Sequence, residues 1–183
     1  MLDTKRSLLA ASLAGLLTIA CSSTEDVTTD ADASSAPVAD TRTATEILDA
    51  MVADCEACAE ACAARHAETP LYERLGGHEK IAEFVDTLIE LHLQNELVKP
   101  YLEDVDLERL STNLVDFIGA GTGGTETYEG RSVAASHAGM GITPEVFLAA
   151  GADIGAAMEA VGWGPDEQQE LLCIILSMKD DVL

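Results

Sequence analysis

The chain has 183 residues and a formal net charge of −23, because 33 acidic residues stand against 10 Lys and Arg. A surface this acidic repels phosphate groups, which argues against nucleic acid and anionic lipid as binding partners. Hydrophobic residues make up 48% of the chain but include only one Trp, three Tyr and three Phe. Ala and Leu must therefore supply most of the core, which favours helices.

The first 20 residues have the features of an export signal. Lys5 and Arg6 precede an uncharged apolar run that ends at Ala20 and is shorter than the roughly 20 residues of a membrane span. Its end, the sequence LTIAC at residues 17–21, resembles bacterial lipoprotein signals, in which the Cys is acylated. The resemblance implies a signal peptide at residues 1–20, lipidation of Cys21 and an exported, membrane-anchored protein, periplasmic or on the cell surface. The alternative is an ordinary cleaved signal in which Cys21 has no role.

Residues 21–45 consist mainly of Ser, Thr, Ala and Asp and contain almost no large apolar side chain. Such a segment cannot bury enough apolar surface to offset the entropy lost on ordering. We therefore predict a disordered tether that holds the following domain away from the membrane. The protein would then contact the membrane only through its lipid anchor.

Residues 46–69 are predicted to form a helix with a stripe of sulfur and imidazole side chains along one side. At 100° per residue, these side chains fall within an arc of about 80°, and they are Met51, Cys55, Cys58, Cys62 and His66. Three interpretations remain open. The stripe packs as a small apolar face, its cysteines form disulfides, or it holds a soft metal ion or acts as a redox pair.

Helix geometry restricts the disulfide interpretation. Cβ atoms four residues apart lie about 5–6 Å from each other, whereas a disulfide needs about 3.5–4.5 Å. A Cys58–Cys62 bond inside an intact helix is therefore strained. A bond between Cys55 and Cys58, or a bond from the stripe to Cys173 or to another chain, is easier. Cys173 itself is expected in the core of the last helix.

From residue 46 to residue 183 the sequence has helical spacing and no convincing strand alternation. Gly76 and Gly77 break the chain before a predicted helix whose apolar residues follow the spacing of one buried face. These residues are Ile81, Phe84, Val85, Leu88 and Ile89. Asp106 is expected to cap the next long helix, whose apolar side is formed by Leu107, Leu110, Leu114 and Phe117.

Two further helices complete the pattern. Thr143 is a predicted N-cap followed by Pro144 at the first helical position, and that helix is expected to run to about Val161. Pro165 starts the last helix, whose inward-facing residues are Leu171, Leu172, Ile175 and Met178. The predicted class is all-α with five or six helices, and spacing alone does not distinguish a plain bundle from a globin.

Four sequence blocks make this distinction: LYERLGG at residues 71–77, YEGR at 128–131, SHAGMGIT at 136–143 and MKDDV at 178–182. In this order and with these separations they resemble the truncated globins of the first group. The resemblance implies a truncated globin domain at residues 70–183, folded as a two-over-two helical sandwich, with the Cys-rich helix as an N-terminal extension. It also implies a haem b cofactor with His137 as the proximal ligand of the haem iron.

The same resemblance assigns the residues around the cofactor, which are Leu88, Ile89, Leu102, Leu110, Leu114, Arg131, Met140 and Phe147. Leu88 and Ile89 replace the family's usual Phe-Tyr pair, whose hydroxyl donates a hydrogen bond to dioxygen. Leu110 and Leu114 occupy two positions at one of which a Gln is common. Arg131 suits a haem propionate. Such an apolar pocket predicts weaker retention of dioxygen and relatively better binding of carbon monoxide or nitric oxide.

The leading hypothesis is a haem-binding globin that binds dioxygen, nitric oxide or carbon monoxide as a carrier or a sensor. The first alternative is a haem enzyme that removes nitric oxide or peroxide with an unknown reductase, so enzymatic activity stays open. The second is a haem-free metal or redox lipoprotein that uses the Cys-rich helix. Covalent haem attachment of the c type is excluded, because Ala59 follows Cys58 where that motif requires His.

Overall fold

The computed structural model describes residues 41–183, and the predictions for the export signal, Cys21 and most of the tether lie outside these residues. The described part of the chain is helical and contains no β-strand, which confirms the predicted all-α class. Its helices are α1 (Ala44–Glu68), α2 (Leu71–Arg74), α3 (Gly77–Gln94), α4 (Leu107–Gly121), α5 (Val133–His137), α6 (Pro144–Ala160) and α7 (Pro165–Leu176). Short 3-10 turns lie at Lys99–Tyr101 and Lys179–Asp181.

Local capping sets the starts of the long helices. α1 begins two residues before the predicted boundary because Thr43 and Glu46 form a capping box. The Glu46 N–H donates to the Thr43 hydroxyl at 3.3 Å, and the Thr43 N–H donates to the Glu46 carboxylate at 2.7 Å. Asp106 caps α4 as predicted, accepting from the N–H of Arg109 at 3.1 Å. Thr143 caps α6, also as predicted, with Pro at the first helical position.

α3 packs against both α4 and α6 and so lies at the centre of the described fold. Every residue of its predicted apolar face is at most 8% exposed. Trp163, between α6 and α7, closes this core: its indole N–H donates to the carbonyl of Leu75 at 2.9 Å, and its ring lies 4.7 Å from that of Phe84. The buried core consists of Leu71, Leu75, Ile81, Phe84, Val85, Leu88, Ile89, Val115, Ala157, Met158, Val161, Trp163 and Leu171.

The last helix is shorter than its apolar pattern suggests. α7 begins at Pro165 as predicted but ends at Leu176, so Met178 lies beyond it. Of the predicted inward-facing residues, Leu171 is buried and the other three are half-buried. The Ser177 hydroxyl donates to the carbonyl oxygen of Ile174 at 2.6 Å. This side-chain bond occupies a carbonyl at the helix end, where the chain turns into its final 3-10 segment.

α1 packs along α7 and α6. Arg65 of α1 and Arg74 of α2 both pair with Glu170, a carboxylate of α7 that is only 5% exposed. Two guanidinium groups thus compensate one buried negative charge, which would be costly if left unpaired. Across the described residues, no helix combines the length and the hydropathy that a membrane crossing requires.

Candidate functional site

His137 is the last residue of α5, a short helix capped by the Ser132 hydroxyl, which accepts from the N–H of Ala135 at 3.2 Å. The His137 ring nitrogen Nδ1 lies 2.9 Å from the carbonyl oxygen of Val133. A carbonyl only accepts, so Nδ1 carries the proton and Nε2 keeps its lone pair. Within the described residues Nε2 has no hydrogen-bond partner, and the ring is half-buried. In this tautomer a neutral imidazole can ligate iron through Nε2.

The chain turns sharply after His137 on two glycines. Gly139 and Gly141 have φ angles of 80° and 64°, in the left-handed region that other residues rarely adopt. Met140 lies between them and is 40% exposed. The turn leads directly to Thr143 at the start of α6. The SHAGMGIT block therefore holds His137 at the end of one helix and close in sequence to the next.

Tyr128 connects the segment before α5 to α4. Its ring meets the ring of Phe117 edge to face, with 5.1 Å between the centroids, and its hydroxyl donates to the carbonyl oxygen of Arg131 at 2.6 Å. α5 itself packs mainly against the C-terminal turn at Lys179–Asp181 rather than against α3 or α4. The flanking segments therefore position the helix that carries His137. The sequence indicated Tyr128 only as part of the YEGR block, not as a ring contact.

The predicted distal residues lie on α3, on α4 and in the loop between them. Leu88 and Ile89 are 6% and 8% exposed, and Leu102, Leu110 and Leu114 are half-buried. All five side chains are hydrocarbons, so none of them can donate a hydrogen bond. Part of each of the three half-buried Leu side chains stays exposed, and this is the apolar surface that a porphyrin would cover.

Polar side chains near these positions are already engaged. The Ser111 hydroxyl donates to the Asp86 carboxylate at 3.1 Å, and the Thr112 hydroxyl donates to the carbonyl oxygen of Glu108 at 3.0 Å. Asn113 is the only amide side chain within α4 and is half-buried. The side chains predicted to face the cofactor are therefore hydrocarbons, and the amide of Asn113 is the polar group next to them.

The predicted cofactor residues fall into two groups. Leu88 and Ile89 belong to the core, and Leu110 and Leu114 pack against it. Phe147 is half-buried in the first turn of α6, whereas Arg131 and Met140 are exposed. The structure thus brings together the apolar residues of α3 and α4, and it leaves the side chains of Arg131 and Met140 at the surface.

The other three histidines have structural partners. His92 faces α6: its Nδ1 lies 2.8 Å from a carboxylate oxygen of Asp153, and the Asn95 amide donates to the same oxygen at 2.9 Å. His78 is 60% exposed and lies beside a carboxylate, and His66 accepts a backbone N–H of the next helix. His66 accepts at Nδ1 and so carries its proton on Nε2, whereas His78 and His92 are engaged through Nδ1 only, as His137 is. The assignment of the iron ligand to His137 therefore rests on the resemblance of the SHAGMGIT block.

The cysteines of α1 differ in state. Cys55 forms a disulfide with Cys173, which ties α1 to α7. A disulfide to Cys173 is one of the options that the sequence left open, and it forms because α1 docks on α7 and brings together two sulfurs that are 118 residues apart. Cys173, expected in the core, is half-buried. Cys58 and Cys62 are free, and Cys58 is only 6% exposed, so it packs as a small apolar residue.

The stripe as a whole does not form a metal site. Among residues 41–183, no three or more His, Cys, Asp or Glu side chains are placed to hold one ion. Cys55 is consumed by the disulfide, and His66 Nδ1 accepts from the N–H of Leu71 at 3.3 Å. Of the interpretations left open for the stripe, a disulfide forms at Cys55, and a metal site that uses all four side chains does not form.

The thiol of Cys62 is protonated at neutral pH. Burial, followed by the adjacent thiol of Cys58, raises the pKa of Cys62 to about 11. The Arg65 guanidinium, 3.3 Å from the sulfur, opposes this shift without reversing it. A protonated thiol is a poor nucleophile, so Cys62 does not have the properties of a reactive cysteine.

Comparisons with known proteins place this geometry in context. The sequence profile described as Bacterial-like globin matches residues 70–183. Group 1 truncated hemoglobin GlbN of Nostoc sp. is 28% identical over 113 residues, which cover 62% of this chain and 96% of the relative. Its namesake from Synechocystis sp. is 30% identical over 108 residues, covering 57% and 87%.

A solved structure is similar in fold. Truncated hemoglobin from Tetrahymena pyriformis, in the Fe(III) form, superposes with a TM-score of 0.61 at 24% identity. The match covers 63% of this chain and 98% of that protein. This likeness confirms the predicted two-over-two helical fold.

Proposed function

The chain belongs to the bacterial-like globin family, and on that premise we propose that it is a haem-binding globin that takes up diatomic gases at an apolar site. Membership of this family supports haem and ligand binding in general. The observation that carries the proposal is the His137 ring, which donates from Nδ1 to the carbonyl of Val133 and keeps Nε2 free. The residues proposed to contact the cofactor are Leu88, Ile89, Leu102, Leu110, Leu114, Arg131, Met140 and Phe147.

The proposed cofactor is haem b, held without a covalent bond, and when bound it supplies an iron with an open coordination position for a gas molecule. The hydrogen bond to Val133 fixes the tautomer and the orientation of the His137 ring and raises its basicity. The Leu side chains of α4 exclude water. Arg131, exposed ahead of α5, suits a propionate carboxylate.

The distal side chains determine which gas is held. A dioxygen ligand would gain partial negative charge, and a hydrogen bond to a charged group contributes about 1.5–3 kcal/mol. Leu88, Ile89, Leu110 and Leu114 supply no such bond, so we propose relatively better retention of carbon monoxide or nitric oxide. A carrier or sensor is favoured over nitric-oxide or peroxide turnover, because the polar groups that assist such turnover are absent from these positions. The reductase expected from the sequence stays a prediction.

Release rates of dioxygen and carbon monoxide from the haem-loaded protein test this proposal. The substitution Ile89→Tyr adds a hydroxyl at the position where the family carries its donor. It should slow dioxygen release roughly 10- to 100-fold, the rate equivalent of one charged hydrogen bond, and should change carbon monoxide release far less. Stopped-flow mixing measures both rates.

Ile89→Phe is the matched control, because it adds a ring of nearly the same size without the hydroxyl. It should leave dioxygen release fast. The proposal fails if the unsubstituted protein already releases dioxygen as slowly as Ile89→Tyr, since a donor would then exist that these positions do not provide.

We further propose that the protein is exported and anchored through a lipid on Cys21. The support comes from the sequence of residues 1–21 and from the Cys55–Cys173 disulfide, a bond typical of oxidising compartments. Metabolic labelling of the full chain with a tagged fatty acid in a bacterial host should label it and place it in the membrane fraction. Cys21→Ser should abolish both, whereas Cys62→Ser should change neither. A label that persists in Cys21→Ser would refute the anchor.

A further inference from the structure

Cys58 and Cys62 form a pair of free thiols on α1. Their Sγ atoms are 3.8 Å apart, with Cys58 buried and Cys62 half-buried. A disulfide between them is unfavourable, because residues four apart on a helix hold their Cβ atoms about 5–6 Å apart and a disulfide needs about 3.5–4.5 Å. The pair therefore stays a dithiol as long as α1 is helical, even in an oxidising compartment.

We propose that Cys58 and Cys62 bind one copper(I) ion between their two sulfurs. Two metal–sulfur bonds of about 2.3 Å, the length known for zinc, span about 4.6 Å when they lie in a straight line. From the observed separation of 3.8 Å the two sulfurs therefore need to move apart by less than about 1 Å to hold one ion between them. Copper(I) prefers soft sulfur ligands and is satisfied by two thiolates. Zinc takes four ligands, and the described residues place no third His, Cys, Asp or Glu around this pair.

The charge near the pair suits this complex. Two copper–sulfur bonds form, the two thiol protons pass to solvent, and copper stays in the +1 state. The product carries one net negative charge. The Arg65 guanidinium lies 3.3 Å from the sulfur of Cys62 and offsets that charge. Arg65 is itself held in place by Glu170 at 3.3 Å and by Asp166 at 3.5 Å.

A groove of about 650 Å³ between α1 and α7 gives the ion a path to the pair. Cys62 lines this groove together with small and apolar side chains, among them Ala59, Ala63 and Ile174. Cys58 does not line the groove and is only 6% exposed, so an ion reaches the pair through Cys62. The lining is mostly apolar, and its polar members are Glu56, His66, Glu170 and Ser177.

The experiment is an anaerobic titration of the purified full-length chain with copper(I) in competition with a coloured copper(I) chelator. The chain carries Cys21→Ser, so that Cys58 and Cys62 are its only free thiols. One tight copper per chain is expected, with two sulfur ligands in the X-ray absorption spectrum. Cys62→Ser and Cys58→Ala should each weaken copper binding more than about 100-fold, because loss of a group that merely supports a metal ligand already costs roughly 10- to 100-fold.

His66→Ala is the matched control, because it lies one turn from Cys62 on the same helix and leaves both thiols in place. It should keep the copper affinity, and excess zinc should not displace the ion. Unchanged affinity in Cys62→Ser, a half-buried position where Ser fits, would overturn the proposal. So would loss of binding in His66→Ala, or a thiol assay of the unfolded chain that finds fewer than two free thiols.

Discussion

The carboxylate of Glu126 is bound by two side chains from the start of the globin domain. The Tyr72 hydroxyl donates to Oε1 at 2.6 Å, and the His78 ring nitrogen Nδ1 lies 3.3 Å from the same oxygen. Burial opposes ionisation, but the Tyr72 hydrogen bond, assisted by His78, outweighs it and lowers the pKa of Glu126 below its ordinary value. Tyr72 belongs to the LYERLGG block, so this contact gives the block a structural role.

This pKa shift predicts a pH dependence of stability. The unfolded chain protonates Glu126 at a higher pH than the folded chain does, so the contact stabilises the fold above the ordinary pKa. That stabilisation is lost as the pH falls through the lower pKa of the folded state. Tyr72→Phe removes the hydrogen bond that contributes most to lowering this pKa. The unfolding free energy of the variant should therefore fall less between about pH 5 and pH 3 than that of the unsubstituted chain.

Urea unfolding across this pH range measures the effect. Tyr128→Phe is the matched control, because its hydroxyl donates to a backbone carbonyl rather than to a carboxylate. It should lower the unfolding free energy by a similar amount at each pH. Parallel pH profiles for the unsubstituted chain and Tyr72→Phe would contradict the role assigned to Glu126.

At the scale of the helices, the globin domain follows largely from local sequence. Asp106 and Thr143 cap α4 and α6 as predicted, and the predicted face of α3 is buried, because caps and apolar spacing act within one helix. His137 is different. Spacing alone does not distinguish a ligand from an ordinary histidine, so its assignment came from the resemblance of the SHAGMGIT block. Its hydrogen bond to Val133 became visible only in the structure.

The contacts of α1 could not be predicted from the sequence pattern. Arg65 and Glu170 are 105 residues apart, and Cys55 and Cys173 are 118 residues apart. Helical periodicity identifies which side of a helix is buried, but it does not identify the distant helix that this side meets. The three interpretations of the Cys stripe therefore stayed open until the docking of α1 on α7 was known.

The disulfide predicts how firmly α1 is held. A cross-link that closes so long a loop restricts the unfolded chain, and its removal typically costs about 2–5 kcal/mol of unfolding free energy. The double substitution Cys55→Ser with Cys173→Ser should lower stability by that amount, as should reductant added to the unsubstituted chain. Denaturant unfolding with and without reductant measures this.

The double variant is itself the control for the reductant. It has no disulfide to reduce, so reductant should not change its unfolding. The Soret band of the haem-loaded double variant should also persist, since residues 70–183 alone match the globin family. Unfolding of the unsubstituted chain that is insensitive to reductant would contradict the Cys55–Cys173 bond.

On the scale of the whole molecule, the described protein is a globin domain with one additional helix fastened to it. The chain carries a formal charge of −23 with only 10 Lys and Arg, and mutual repulsion of that charge disfavours compact states. Arg65 and Arg74 place two of these basic residues at the contact of α1 and α2 with Glu170. The extension is thus held by a covalent bond and by ion pairs at one face of the domain.

The most direct test is the absorption spectrum of the purified chain titrated with haem. The unsubstituted protein should develop a sharp Soret band at one haem per chain. His137→Ala should lose this band, whereas His92→Ala, which removes a half-buried imidazole paired with Asp153, should keep it. A band that survives in His137→Ala, or its absence from the unsubstituted protein, would contradict ligation of haem through His137.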